Sequence, residues 1–253
     1  MQRVRFSYRR GETLKFLSHL DVLRTLHRAF RRAKYPLLYR GKFNPQPRLD
    51  PGIPLPLGVT SEREYGEVYL SSLEMDHFID GINRQLPNPL QLLQTASVSL
   101  QEPALMEQIN SALYRVFLPN DGESGEIAEE VLNDVLQKLK HSSEIIVFRK
   151  GKKKKKKKNR GAPSPRRINI SPYLYMLQQI PLPTGKIIEM LLQTGNRGGA
   201  SPLEVLQKMD EQMEEDLIPQ VVGIHRVGLY GFDGKNMTLP PPFTDGNVGS
   251  FVR

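Results

Sequence analysis

The chain is expected to be an α+β protein of two tandem ferredoxin-like lobes, antiparallel sheets with helices on one face of each, on three observations. Strand-like alternation and helical periodicity succeed one another in the order β-α-β-β-α-β over residues 1–104. The same order returns over residues 105–232, although no residues visibly repeat. Finally, 253 residues with no stretch of membrane-spanning length are enough to bury one large core or two ordinary ones.

In the first lobe, Val4, Phe6 and Tyr8 alternate with Arg3, Arg5 and Arg9 over residues 2–9 as in a strand, and Gly11 marks a turn. Ser18 with Asp21 three residues later opens a helix over 18–34, a hydroxyl and a carboxylate beside orphan amides. Leu20, Leu23, Leu26, Phe30 and Ala33 are its expected inward stripe, and Arg24, Arg28, Arg31 and Arg32 gather on the other side. Pro36 ends it. Three prolines and two glycines between Arg40 and Gly52 preclude a regular central strand or helix. Tyr65, Val68 and Leu70 mark a strand over 62–70, Met75 to Leu86 a second helix, and Leu90 to Leu100 a fourth strand.

In the second lobe, Leu113 to Leu118 is strand-like, and Ile127 to Leu139 is an amphipathic helix with Ile127, Val131, Leu132, Val135 and Leu139 inward. Glu144 to Arg149 is a strand, Arg167 to Ile170 an extended piece, and Tyr173 to Gln178 a short turn of helix. Lys186 to Gln193 follows as a strand. Ser201-Pro202-Leu203-Glu204 opens a helix with its cap, Pro at the first helical position and Glu three after the Ser. Ile224 to Phe232 supplies the last strand. Residues 150–166 read as a disordered basic insert and 233–253 as a flexible tail that adds no core.

Composition narrows the chemistry. With no Cys, the chain offers no disulfide, thiol nucleophile, cysteine-ligated zinc or iron–sulfur cluster. Its five histidines, at 19, 27, 77, 141 and 225, lack metal-ligand spacing, so no metal and no cofactor is expected on this chain. Arginines interrupt the N-terminal residues where a signal peptide would be apolar, which makes a cytoplasmic protein without a membrane partner the expectation. The net charge of +9 is uneven: residues 1–50 carry +10 and residues 149–167 carry +12, leaving −13 for the rest.

The basic face of helix 18–34 has the parts to bind phosphates, because guanidinium forks match phosphate oxygens and several in a row follow a backbone. A solvated face partly neutralised by Asp21 is the rival reading. The loop Arg40-Gly41-Lys42-Phe43-Asn44-Pro45-Gln46-Pro47-Arg48 combines an aromatic face, an amide and cations, the elements by which single-stranded RNA is stacked and read. Its rival is a Phe43 that merely pins the loop. Arg197, in a glycine-rich run before the Ser201 cap, is a further anion-binding candidate, although a tight turn explains that run equally well. His19 is a weak candidate general acid or base. RNA is thus the expected partner. The alternatives are a metal-independent RNA-cleaving enzyme using His19, or a protein–protein adaptor.

The run F-L-S-H-L-D-V-L-R (Phe16 to Arg24), with R-A-F-R-R-A-K-Y-P, F-N-P-Q-P-R (Phe43 to Arg48) and P-L-P-L-G-V-T-S-E-R-E-Y (Pro54 to Tyr65), resembles an uncharacterised bacterial family. Its members are fused to, or encoded beside, cobalamin-binding radical SAM proteins. The likeness is strong over residues 3–70 and weaker to about residue 232, where I-N-I-S-P-Y and G-G-A-S-P-L-E-V-L fall in place. Members commonly carry Ser-Gln-Gly-Phe and Pro-His-Pro at the loop, whereas this chain has Arg40-Gly41-Lys42-Phe43 and Pro45-Gln46-Pro47, so no loop histidine is available. The resemblance implies an accessory module acting with a radical SAM cobalamin-binding protein, in RNA modification or processing.

Overall fold

The computed structural model describes residues 1–72, 77–119, 127–150, 164–213 and 216–243, and its fold is α+β. The elements run β1 (Gln2–Arg10), α1 (His19–Arg32), the short strands β2 (Tyr39–Arg40), β3 (Gln46–Pro47) and β4 (Leu49–Pro51), β5 (Val59–Leu70), α2 (Phe78–Asn83), β6 (Leu90–Val98), α3 (Leu105–Gln108) and β7 (Ser111–Pro119). Then come α4 (Glu129–His141), β8 (Ile146–Arg149), β9 (Arg166–Asn169), β10 (Leu174–Leu182), β11 (Gly185–Gln193), α5 (Pro202–Asp210), β12 (Gly223–Phe232) and β13 (Met237–Thr238). Two compact units result, and they are not consecutive stretches of chain. One holds Met1–Val116, Thr194–Arg197 and the described residues from Gly223 on; the other holds the described residues of Phe117–Gln193 and Gly198–Val222.

In the first unit, β1 is flanked antiparallel by β5 and β6, β4 lies antiparallel beside β5, and β12 pairs with β5 in parallel at Ile224–Arg226. The large sheet is therefore mixed. Period-two alternation aims Val4, Phe6 and Tyr8 at one face of β1, where they meet Val22, Leu26, Ala29 and Phe30 of α1 and Phe78 and Ile82 of α2. The rings of Phe6, Phe30, Phe78 and Tyr35 form a chain with centroids 5.6, 6.0 and 4.5 Å apart. Gly66 stands opposite Phe6, and a Cβ there would lie 2.5 Å from the ring.

The inward stripe of α1 differs from expectation. Val22, Leu26, Ala29 and Phe30 are its buried residues and Leu23 packs at the margin, but Leu20 is 61% exposed. Leu20 lies one turn before Arg24 on the outward side, so the apolar residues near the helix start include one that the core does not use. In α2, Phe78 and Ile82 face the core, while Met75 lies outside the described residues. The C-terminal stretch also departs from the expected tail. Met237, Leu239 and Phe243 are buried, β13 pairs with β12, and Phe243 stacks on Tyr65 at 5.6 Å. A few well-spaced apolar residues suffice to cover a sheet face, even in a segment too polar to form a core of its own.

In the second unit, α4 buries Leu132, Val135, Leu136 and Leu139 and leaves Val131 exposed, contrary to the expected stripe. β8 and β9 pair antiparallel on either side of the basic insert, whose Lys152 to Lys158 lie outside the described residues. The expected helical turn at 173–178 is instead a 3-10 turn at Ser171–Tyr173 leading into β10, which forms an antiparallel hairpin with the buried β11. Local spacing there fits either element, and pairing with an apolar partner strand decides it. α5 carries its capping box in full: Ser201 Oγ accepts from Glu204 N–H, and the Glu204 carboxylate accepts from Ser201 N–H. Among the described residues, no helix is long and apolar enough to cross a membrane.

Candidate nucleic-acid interface

α1 starts where Ser18 accepts from the Asp21 N–H at 3.2 Å and donates to its carboxylate at 2.6 Å. The Ser18 hydroxyl, joined by Arg24, holds the Asp21 carboxyl below its ordinary range. Arg24 is thus paired, at 3.0 Å, though both side chains stay exposed. Arg28, Arg31 and Arg32 are exposed, pair with no carboxylate among the described residues, and line an open depression of about 360 Å³. Arg31 and Arg32 also sit in the last turn, where cations complement the helix dipole.

Burial first, and the charge of Arg40 second, lower the His27 pKa. Arg40 also meets Asp50 at 3.0 Å in an exposed pair. Phe43 is wholly exposed and therefore pins nothing, while Lys42 and Asn44 are exposed on either side of it. Gln46 donates to Asn44 Oδ1 at 3.1 Å. Arg48 differs from its neighbours. Its guanidinium lies 3.6 Å over the Tyr69 ring, its N–H donates to Leu38 O at 2.6 Å, and its carbonyl accepts from Tyr69 N–H at 3.0 Å, so it packs the loop onto the sheet.

Of the remaining candidates, Arg197 belongs to neither α1 nor the 40–48 loop, and His19 is the first residue of α1. Arg197 is exposed in the first unit, whereas the Ser201 cap and α5 belong to the second. There Arg149 closes the glycine-rich turn by donating to Glu204 at 2.6 and 2.8 Å and to Gly199 O at 2.6 Å. Burial raises the Glu204 carboxyl, but Arg149 and Ser201 outweigh it and the net shift is down. That turn is filled from within. His19 is half-buried, and burial lowers its pKa, with Glu64, Arg10 and Arg226 in its surroundings. No group of three or more metal-binding side chains occurs among the described residues.

Sequence reasoning missed that much of the basic N-terminus points inward. Arg3 and Arg5 converge on Glu67, at 2.7 Å each, and Arg5 also donates to Gln108 Oε1 at 2.8 Å and to the Pro241 carbonyl. Arg226, with no exposed surface, is held by Glu64, by Ile53 O at 3.0 Å and by Tyr114 Oη at 3.4 Å. Arg10 donates to the carbonyls of Leu14, Lys15 and Leu17. The signal that could have found the first of these is register: Arg5 and Glu67 are direct partners across β1 and β5.

Against known proteins, the model of a family described as an uncharacterized protein conserved in bacteria, DUF2344, matches residues 3–202. No curated protein matches the sequence. Among solved structures, the chain is similar to the crystal structure of an unknown protein from Galdieria sulphuraria, at 11% identity over 83% of this chain and 88% of that one, with a TM-score of 0.24. The family match spans most of the chain and takes in α1, the 40–48 loop and the start of α5, and on it the chain belongs to the DUF2344 family of bacterial proteins.

Proposed function

We propose that this protein is an RNA-binding accessory module whose contact surface is the outward face of α1 with the 40–48 loop. One observation carries the reading: Arg28, Arg31 and Arg32 stand exposed without carboxylate partners among the described residues, on a helix flanked by a loop that presents a wholly exposed Phe43. Guanidinium groups carried along one helix face follow phosphates, and an exposed ring supplies a stacking platform; their combination suits RNA better than a plain acidic surface. The resemblance to radical-SAM-associated proteins supports a role of presenting RNA to such an enzyme in modification or processing, with the cluster and cobalamin chemistry supplied by that partner.

The tandem ferredoxin-like reading belongs to the same proposal. The strand order β6-β1-β5-β4, all antiparallel, supports it for the first lobe. For the second, the succession β7-α4-β10-β11-α5-β12 supports it, with β8 and β9 as an insertion.

The test is titration of the full chain, in chelator, with total cellular RNA and with scrambled oligonucleotides. Binding that discriminates between RNAs, survives deletion of Lys152 to Lys158 and is lost in Arg28→Ala/Arg31→Ala/Phe43→Ala is the expected result. Absence of RNA binding leaves the adaptor reading, and cleavage abolished by His19→Ala leaves the nuclease reading; either outcome overturns the proposal.

A further inference from the structure

A second exposed aromatic side chain stands just before the start of α1, and several internal hydrogen bonds fix the backbone on both sides of it. Phe16 is 75% exposed. A ring of that size in solvent adds nothing to a core, yet the backbone on both sides of it is fixed. The buried Arg10 guanidinium donates to the carbonyls of Leu14, Lys15 and Leu17, and Lys15 O accepts a further bond from Gly58 N–H at 2.8 Å. Gly58 has φ of +80°, a turn that glycine adopts without strain, and it brings the P-L-P-L-G loop against the Phe16 ring. The Lys15 ammonium lies 5.3 Å from the ring centroid. Leu20, also exposed, continues the apolar surface from Phe16 to Arg24.

Leu20, Arg24, Arg28 and Arg31 follow one another at helical spacing on the outward side of α1; in the chain, Phe16 precedes the start of that helix and the 40–48 loop with Phe43 follows its end. The 14-residue α1 is itself about 20 Å long, enough for several nucleotides of a strand laid along it. Resting on the RNA-binding reading above, we infer that the ligand is single-stranded, that it lies along α1, and that it is held at both ends by stacked bases, on Phe16 at one end and Phe43 at the other, with the arginines on the phosphates between. A duplex keeps its bases stacked on one another and cannot offer them to two separate rings, whereas an unpaired strand can. Arg10 is a positioning residue for this platform and does not itself face the strand.

Three probes test the inference on the full chain by fluorescence anisotropy: a 12-nucleotide single-stranded RNA, the same length of abasic ribose-phosphate, and a 12-base-pair RNA duplex. Phe16→Leu is expected to weaken binding of the single strand by about tenfold, the loss of one stacked base, and Phe16→Tyr to restore it. Neither change is expected to alter abasic or duplex binding, or the salt dependence of any of the three. Single-strand binding that is indifferent to Phe16→Leu, or lost equally for the abasic chain, overturns the two-platform inference while the RNA-binding reading stands. If the unaltered protein binds none of the three probes, both fall together.

Discussion

Arg5 on β1 and Arg28 on α1 are both arginines of the same compact unit, and they teach opposite lessons about what a basic sequence means. Arg5 has no exposed surface and shares the Glu67 carboxylate with Arg3. Arg28 is exposed, with no carboxylate partner among the described residues. A buried guanidinium must be matched by charge and hydrogen bonds because removing it from water is costly, so it carries little field to the outside. An exposed, unpaired one keeps its charge available to a ligand. The net charge of the first 50 residues thus overstates the basicity of the surface, since Arg3, Arg5 and Arg10 are buried.

The largest effect expected from this contrast is at Glu67. Glu67→Ala leaves two buried guanidinium groups without their carboxylate and should cost roughly 3–5 kcal/mol in urea unfolding. Arg28→Ala and Arg31→Ala should leave the urea midpoint unchanged. If Glu67→Ala proves as mild as the helix substitutions, the two populations are not distinct.

Next comes the helix that carries the exposed set. Leu26→Ala should cost about 2–5 kcal/mol, because Leu26 is 1% exposed, and Leu20→Ala no more than about 0.5 kcal/mol. A reversal of that order would mean α1 turns its other face to the core and buries the arginines.

The smallest effect is a pH dependence. Burial first, and Arg40 second, lower the His27 pKa below its ordinary value of 6.5, and the ring's buried Nε2 has no hydrogen-bond partner among the described residues. The unfolded chain therefore takes up the proton more readily, so this contribution to stability is present above pH 6.5 and is lost as pH falls below it. His19, also lowered by burial, acts in the same direction. His27→Gln should flatten the decline between pH 7.5 and 5.5 measured by urea unfolding, on the buried-histidine argument. An unchanged or steeper decline would mean that burial does not hold the His27 ring neutral in the folded protein.

Much of the local structure could be read from residue order, because its signals act over short spans. The Ser18 cap, the Pro36 stop, the alternation of β1 and the capping box at Ser201 each act over a few residues, and each appears where the pattern places it. What could not be read depends on pairing between distant segments. The fate of Arg3 and Arg5 turns on Glu67 some sixty residues away. β10 is a strand because β11 is its neighbour, and Phe243 is buried because Tyr65 meets it. In the candidate site, the exposure of the arginine face followed from helical periodicity, whereas loop composition left open whether Phe43 pins the loop or stands in solvent, and only the structure shows it exposed. That Arg48 packs on Tyr69, and that Arg149 fills the turn before α5, depended on the tertiary partner.

The central claim is that the exposed arginines of α1 meet phosphates while the buried ones do not. Its most direct test is the salt dependence of single-stranded RNA binding, compared between the unaltered chain and Arg28→Ala/Arg31→Ala/Arg32→Ala. Each single-strand phosphate contact contributes about 0.7 to the slope of log K against log salt, so the triple substitution should reduce that slope by roughly 2 without changing the urea midpoint. An undiminished slope would contradict the account, because it would mean that the strand's phosphates lie somewhere other than along α1.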